Sequence, residues 1–401
     1  MTNASSGLDP DRVNNAPQDN QKPHDRGSAQ QSQCPVRPVR SGSSAHTSYL
    51  VTGYAQARQA LADPRLSKDT AAFFANKGSK RRLHPAVSQS MLASDPPQHT
   101  RLRKLVARTF TTGSVAALRP FIEQVTDDLL DAWPTHGEVD VVADLAMPLP
   151  VTVICELLGV PEDNRSDVKR WSAELFAAGQ PERIDAASHA MAEYMVGLIA
   201  ERRERPGDAL LDDLIRVRDG EDRLSEEELV SLAVLLLVAG HETTTNFIGS
   251  ALLALLRQPA DLERLRREPD LVPGALDELL RRSSPVSVAT FRYTTESVTL
   301  GGTEIPADTP VQVAIGVANR DPARFPAPEQ LDLGRDATGH LSFGHGIHRC
   351  VGAPLARAEA ELALRKLLAR FPNLRLAVPP EDLVWRPTRL VRGLTALPVL
   401  V

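Results

Sequence analysis

Apolar residues recur at three- and four-residue spacing through most of the chain between Thr100 and Leu280, which predicts a succession of helices. Starts and stops at Pro, Gly, Ser and Asp place them at about 98–110, 114–133, 143–158, 161–177, 184–204, 208–217, 225–256, 259–267 and 272–282. Upstream, Tyr49–Thr52 reads as a short strand and Tyr54–Ala62 as a helix that stops before Pro64. Between 290 and 318 the pattern changes to alternating or β-branched runs, at Phe291–Thr294, Val298–Leu300 and Val311–Ile315, with a Gly301-Gly302 turn. A Pro-rich meander over 322–328, a loop to Cys350, a helix over about 354–370 and short strands within 383–400 complete the chain. Many helices with a few clustered strands predict a mainly α fold with small β-sheets, an α+β arrangement. Residues 1–48 contain no Phe, Trp or Tyr and are rich in Ser, Asn, Gln, Asp and Pro. Such a segment cannot offset its ordering entropy by burial, so it reads as a disordered polar tail before a folded unit over 49–401.

Composition narrows the function classes. The 401 residues carry 46 Lys+Arg against 51 Asp+Glu, a net charge of −5, which provides no basic field for nucleic acid and no polybasic membrane anchor. Length alone suggests about two to three domains. The three cysteines, Cys34, Cys155 and Cys350, are scattered without a CxxC pair, which favours a reducing compartment over a disulfide framework. No charged segment followed by an apolar one marks a signal peptide. The longest apolar stretch, Leu229–Ala239, is too short to span a bilayer. A cytoplasmic protein that binds neither membrane nor nucleic acid is the expectation.

Three segments carry chemistry. Ala239-Gly240-His241-Glu242-Thr243-Thr244-Thr245 interrupts an otherwise apolar helix of about 30 residues, long enough to run roughly 45 Å through a domain. An acid and hydroxyls at its centre are costly without partners or purpose. Gly240 and the hydroxyls could open the helix locally and admit water or a small ligand; a plain polar stripe on a core helix is the other reading. His241-Glu242 begins a zinc-protease HExxH motif, but the second His position holds Thr245, so that reading fails. The second segment is Glu278-Leu279-Leu280-Arg281. Such i, i+3 pairs also occur at Glu162/Arg165 and Glu263/Arg266, and each alone reads as a surface contact. The third is Phe343-Gly344-His345-Gly346-Ile347-His348-Arg349-Cys350-Val351-Gly352, just before a helix that opens near Pro354. Glycines let backbone approach a flat or bulky ligand, while the helix N-terminus, Arg349 and His348 favour a thiolate at Cys350.

Taken in this order, the three segments resemble the cytochrome P-450 superfamily of haem-thiolate monooxygenases. Phe343-x-x-Gly346-x-His348-x-Cys350-x-Gly352 matches the haem-binding loop, Ala239-Gly240-x-Glu242-Thr243-Thr244 the oxygen-activating helix, and Glu278-x-x-Arg281 before Ser284-Pro285 the pair that braces the core. The resemblance covers about 49–401 and implies one large triangular-prism domain, with haem between the long central helix and the Cys loop and its following helix. Length near 400, the lack of an N-terminal membrane helix and Pro354-Leu355-Ala356-Arg357 resemble the soluble bacterial branch.

The resemblance further implies a b-type haem ligated by Cys350, the protein's one metal ligand, with O2 as co-substrate. Phe343, Gly344, Gly352, Ala239 and Gly240 would border the cofactor, and His99, Arg103, Arg292 and His348 would contact its propionates. Thr243 would hydrogen-bond dioxygen and Glu242 relay protons to it. Substrate would lie against segments 71–92, 171–180, 235–243, 286–291 and 389–394, including Val286, Val288, Ala289, Thr290, Leu390 and Val391. Within 71–92, Lys77, Lys80, Arg81, Arg82 and His84 read as a solvated charged loop, or as a lid for an anionic or carrier-protein-bound substrate. The implied activity is hydroxylation or epoxidation of a mostly apolar small molecule in bacterial secondary metabolism by a monomer. Electrons would come from a ferredoxin docking on the Cys350 side, through Arg103, Arg108, His345, Arg349 and Arg357. Oxidative phenol coupling and a non-catalytic haem sensor or carrier remain as alternatives, and a cysteine hydrolase built on Cys350 with His345 or His348 lacks an oriented base and an oxyanion motif. Two departures stand out. Gln330 occupies a position where many relatives have Arg or His that locks onto Glu278–Arg281, which leaves Arg324 or Arg335 for that role. Polar sequence also fills the space of the family's first strand.

Overall fold

The computed structural model describes residues 34–40, 47–75, 77, 82–177, 180–221, 224–388 and 390–401. Its helices follow the apolar periodicity closely. They are α1 (Tyr54–Ala62), α2 (Gln98–Ala107), α3 (Thr112–Asp131), α4 (Pro148–Leu158), α5 (Arg165–Leu175), α6 (Pro181–Glu204), α7 (Leu210–Glu221), α8 (Glu226–Leu256), α9 (Pro259–Arg267), α10 (Val272–Arg282) and α11 (Ala353–Arg370). Short helices at Thr70–Phe74 and Pro85–Ser88, five and four residues long, in the α1–α2 connection are too short for periodicity to reveal.

The central helix α8 begins at a capping box. The Ser225 hydroxyl accepts from the Glu228 amide at 3.1 Å, and the Glu228 carboxylate accepts from the Ser225 amide at 3.0 Å. Glu226, Glu227 and Glu228 in its first turn also suit the positive end of the helix dipole. From there α8 is buried along nearly its whole length and packs on α4, α6 and α11. It is long and apolar enough to cross a membrane, but its apolar surface is used inside the fold. The local opening expected at Gly240 is not present: α8 is one uninterrupted helix. Gly240 instead permits the approach of α4, because a Cβ there would stand 2.6 Å from Ile154 Cγ1.

The strands form small sheets at the edges of this helical body. β1 (Val36–Arg40), β2 (Thr47–Val51) and β8 (Val311–Val313) make one sheet, with β1 antiparallel to β2 and β2 parallel to β8. β4 (Glu138–Asp140), β10 (Pro398–Leu400) and β9 (Arg375–Leu376) make a second; β3 (Leu66–Ser67) pairs with β5 (Tyr293–Thr294), and β6 (Val298–Leu300) with β7 (Thr303–Ile305). The chain end is less strand-like than its β-branched content suggests: besides β10 it contributes isolated bridges, Val286–Val391 and Trp385–Leu394.

The expectation of a disordered tail to residue 48 needs correction. Val36–Arg40 is a strand in register with Thr47–Val51, and Val36 is buried in a second hydrophobic cluster with Val51, Leu300 and Val311. The family's first strand is therefore present. Its Val-Arg-Pro-Val-Arg sequence shows little apolar content, and Pro38 is tolerated because β1 lies at a sheet edge. The remainder of the predicted tail, 1–33 and 41–46, and two of the lid cations, Lys80 and Arg81, lie outside the described residues.

Candidate active site

The loop before α11 is held in a fixed shape by its own backbone. The Cys350 amide donates to the Phe343 carbonyl at 2.8 Å, the Gly344 amide to Leu341 and the Arg349 amide to Gly346. Gly344 and Gly346 adopt φ of +73° and +74°, where a side chain is disfavoured. At Gly346 a Cβ would also stand 2.7 Å from the Leu61 carbonyl oxygen, so this glycine lets the loop seat against α1. Burial pushes the Cys350 thiol up, while the Gly352 and Ala353 amides with Arg103 and Arg349 pull it down without overcoming burial. The anion-stabilising surroundings expected from sequence are there except for His348, and a cation at the sulfur would complete them.

Cys350 faces a cavity of about 260 Å³ whose opposite wall is α8, presented through Leu235, Leu236, Ala239, Gly240, Thr243 and Thr244. Every residue assigned above to the cofactor lines this one cavity: His99, Arg103, Arg292, Phe343, Gly344, His348, Gly352, Ala239 and Gly240 join Cys350 there. Residues separated by some 250 positions in sequence thus converge on one cavity lined by both the Cys350 loop and α8.

One edge of the cavity is cationic. His99 and Arg292 are buried, and the His99 and His348 rings lie 4.1 Å apart. The Arg103 guanidinium donates to the Arg349 carbonyl at 2.6 Å and Arg292 to the Thr290 carbonyl at 3.1 Å. Burial followed by neighbouring Lys68, His99, Arg292 and Arg103 pushes His348 down to about 2; burial likewise lowers Arg292 to about 10. Among the described residues, His99 Nδ1 and His348 Nε2 are buried with no hydrogen-bond partner. Buried cations and orphaned ring nitrogens with so little anion beside them fit a group that brings its own carboxylates. Lys68, which the sequence reading did not single out, also lines this edge.

On α8, Thr243 faces the cavity, its hydroxyl only loosely tied to the Ala239 carbonyl at 3.5 Å. Its neighbour Glu242 does not line the cavity. Glu242 is buried against the chain's C-terminal segment, where Arg386 Nη1 donates to Glu242 Oε2 at 2.7 Å. One turn further along, Asn246 packs so closely on Gly393 that a Cβ there would meet Asn246 Oδ1 at 1.8 Å. The C-terminal segment is thereby clamped onto α8 directly behind the cavity. Arg386, the partner of this buried acid, remains partly exposed.

Glu278 and Arg281 form a bidentate pair with both side chains fully buried, at 2.6 and 2.8 Å. Arg281 also donates to the carbonyls of Asn319, Pro328 and Gln330 at 3.0, 2.9 and 3.3 Å. Arg335 Nε supplies the additional lock, donating to Glu278 Oε1 at 3.2 Å, while Gln330 takes part through its backbone. Arg324 is occupied elsewhere, donating to the Thr338 carbonyl and lying over the Phe325 ring. The other i, i+3 pairs differ: Glu263–Arg266 is a surface contact, and Arg165 turns instead to Glu156.

The structure brings part of the expected substrate wall to the cavity. Val286, Ala289 and Thr290 line the cavity, with Met91 and Leu92 from segment 71–92. Val288, Leu390 and Val391 do not. Val391 is buried in a bridge to Val286 and so stands behind the wall, whereas Leu390 points out and is 43% exposed. No described residue of 171–180 reaches the cavity. Lys77 is engaged by Asp308 and by the Phe73 ring, and Arg82 meets Asp185 through its backbone. On the outer side of the Cys loop, Arg103, His345, Arg349 and Arg357 border a second, polar hollow with Arg58 and Arg119. Arg357 is partnered there by Asp277, and Arg108 sits at the exposed end of α2.

A family model described as cytochrome P450 matches residues 151–394. The chain belongs to the cytochrome P450 family. Among curated P450 relatives, cytochrome P450 107B1 of Saccharopolyspora erythraea is 49% identical over 358 residues, covering 88% of each chain. The 6-deoxyerythronolide B hydroxylase of the same organism is 46% identical, covering 91% of this chain and 92% of that one. The solved structure of the P450 monooxygenase TamI with bound tirandamycin C matches with a TM-score of 0.89 at 45% identity, over 98% of both chains. The protein is thus a P450 monooxygenase of the bacterial type, and a haem-thiolate iron with O2 is the family's chemistry.

Proposed function

We propose that the protein binds iron protoporphyrin IX with Cys350 as its thiolate ligand and inserts one oxygen atom from O2 into an apolar natural product, by hydroxylation or epoxidation. The observation that carries this reading is the shared cavity, with Cys350 on one wall, Thr243 on the facing wall and the buried cations at one edge. The haem, when bound, supplies the iron at which O2 is activated, and the thiolate feeds it electron density. Thr243 offers a hydroxyl to the space facing Cys350. Glu242, ion-paired with the partly exposed Arg386, places a carboxylate one residue away as the group that would take up and release protons.

Met91, Leu92, Leu235, Val286 and Ala289 give the distal part of the cavity an apolar wall, with Thr290 and Thr244 as the few polar anchors. That lining suits a polyketide-like small molecule better than a charged one, and the hydroxylase relative named for a macrolactone supports the same class. Electrons come from a ferredoxin and its reductase. The polar hollow outside the Cys loop, with Arg58, Arg103, Arg349 and Arg357, suits an acidic carrier of this kind.

The test is a panel of polyketide macrolactones and aglycones added to the purified haem protein. The expected result is a spin-state shift with at least one, and with ferredoxin, reductase and NAD(P)H a product heavier by one oxygen. A protein that binds these ligands yet consumes NAD(P)H at the same rate with and without them would be a carrier or sensor instead.

A further inference from the structure

Lys68 follows β3 directly, and its side chain is almost fully buried at 2% exposure. An ammonium offers three donors, yet its one side-chain hydrogen bond among the described residues goes to the Thr290 hydroxyl. Asp95 is the carboxylate that acts on it, and Asp95 is already committed, accepting from the Ser67 hydroxyl at 2.5 Å and from the Lys68 amide at 3.2 Å. The same Asp95 is also the carboxylate felt by His99 and Arg292.

Charge matching makes the position informative. Among the described residues, Lys68, Arg103, Arg292 and Arg349 line the cavity and no carboxylate does, while Asp95 acts on Lys68 and Arg292 without lining it. Such a cationic surplus suits a ligand that brings carboxylates of its own, and Lys68 belongs to that surplus. A buried ammonium whose side-chain hydrogen bond goes to a neutral hydroxyl is costly, and burial with Arg292 beside it pushes Lys68 well below the usual lysine range. An anion delivered to that edge removes the cost.

We propose that Lys68 holds one carboxylate of the cofactor, with the Thr290 hydroxyl fixing the direction of its ammonium. This rests on the haem reading above and extends it to a residue outside the His and Arg set. Because Thr290 also lines the substrate side, Lys68 ties the position of the cofactor edge to the pocket wall.

The test uses the full-length haem-loaded protein and its Lys68→Gln, Lys68→Met and Lys68→Arg variants, loaded with protohaem or with its dimethyl ester. Haem loss to excess apomyoglobin and the ferric/ferrous midpoint potential are read. Lys68→Gln and Lys68→Met should lose protohaem about 10- to 100-fold faster, as expected when a charge-assisted hydrogen bond is removed, with a lower potential. Lys68→Arg should retain most of the hold. Wild type should hold protohaem better than the ester, and that preference should shrink in Lys68→Gln, a change that simple loosening of the fold would not produce. Protohaem loss at the wild-type rate with an undiminished preference over the ester would overturn the proposal. So would unchanged haem loss combined with weakened binding of carboxylate-bearing ligands, which would give the ammonium to substrate. If wild type takes up no haem, the haem reading fails instead. If Lys68→Gln does not fold, Lys68→Met carries the same comparison.

Discussion

Thr243→Ala should leave oxygen consumption near the wild-type rate while product formation falls on the order of 10²-fold, the electrons appearing as hydrogen peroxide. Thr243 presents its hydroxyl to the cavity opposite Cys350, and its weak tie to Ala239 leaves that hydroxyl available. Removing it takes away the proton donor at the point of use but leaves the route for electrons intact. Glu242→Gln should behave differently. Its amide keeps a contact with Arg386 but cannot release a proton, so oxygen consumption and product fall together and the solvent isotope effect grows. The separation of these two signatures, measured as peroxide and product per NAD(P)H, distinguishes delivery from supply. Full coupled turnover in Thr243→Ala would remove Thr243 from the reaction.

The second large effect is on stability. Arg281→Met strands the fully buried Glu278 with Arg335 as its remaining cation and leaves three carbonyls without a donor. A cost of about 3–5 kcal/mol is expected, a large part of the stability of a typical fold. Denaturant titration of the haem-loaded variant should show it, together with a lower yield of haem-loaded protein. Glu263→Ala, which breaks a chemically identical pair on the surface, should cost less than about 1 kcal/mol. Equal costs for the two would mean that the buried pair is not a brace.

That contrast shows what could and could not be read from the chain. Glu278/Arg281, Glu263/Arg266 and Glu162/Arg165 are indistinguishable as local patterns; only the neighbouring motifs of the resemblance singled out the first. The helices were legible because their apolar spacing is local, and α9 and α10 have the predicted limits. The Cys loop and the Thr243 helix were legible because each packs several unusual residues into about ten positions. Lys68 and Arg386 were not, since each becomes important through one contact made across more than 140 positions, with Thr290 and Glu242 respectively, and Arg335 could be named only as one of two candidates, beside Arg324, for the contact it makes with Glu278. β1 was hidden for the same reason: Val36 is buried by β2 and residues near 300, and its own neighbours are Arg and Pro. The placement of Leu390 and Val391 away from the cavity was not legible either, because it is set by the bridge from Val391 to Val286.

Everything proposed for the cavity depends on a Cys350 thiolate bound to haem iron, and the optical spectrum of the reduced protein with carbon monoxide tests that directly. Wild type should show the strongly red-shifted Soret band of thiolate ligation, and Cys350→Ser should lose it even where haem remains bound. A wild-type spectrum without that band, or a Cys350→Ser spectrum that keeps it, would contradict the assignment.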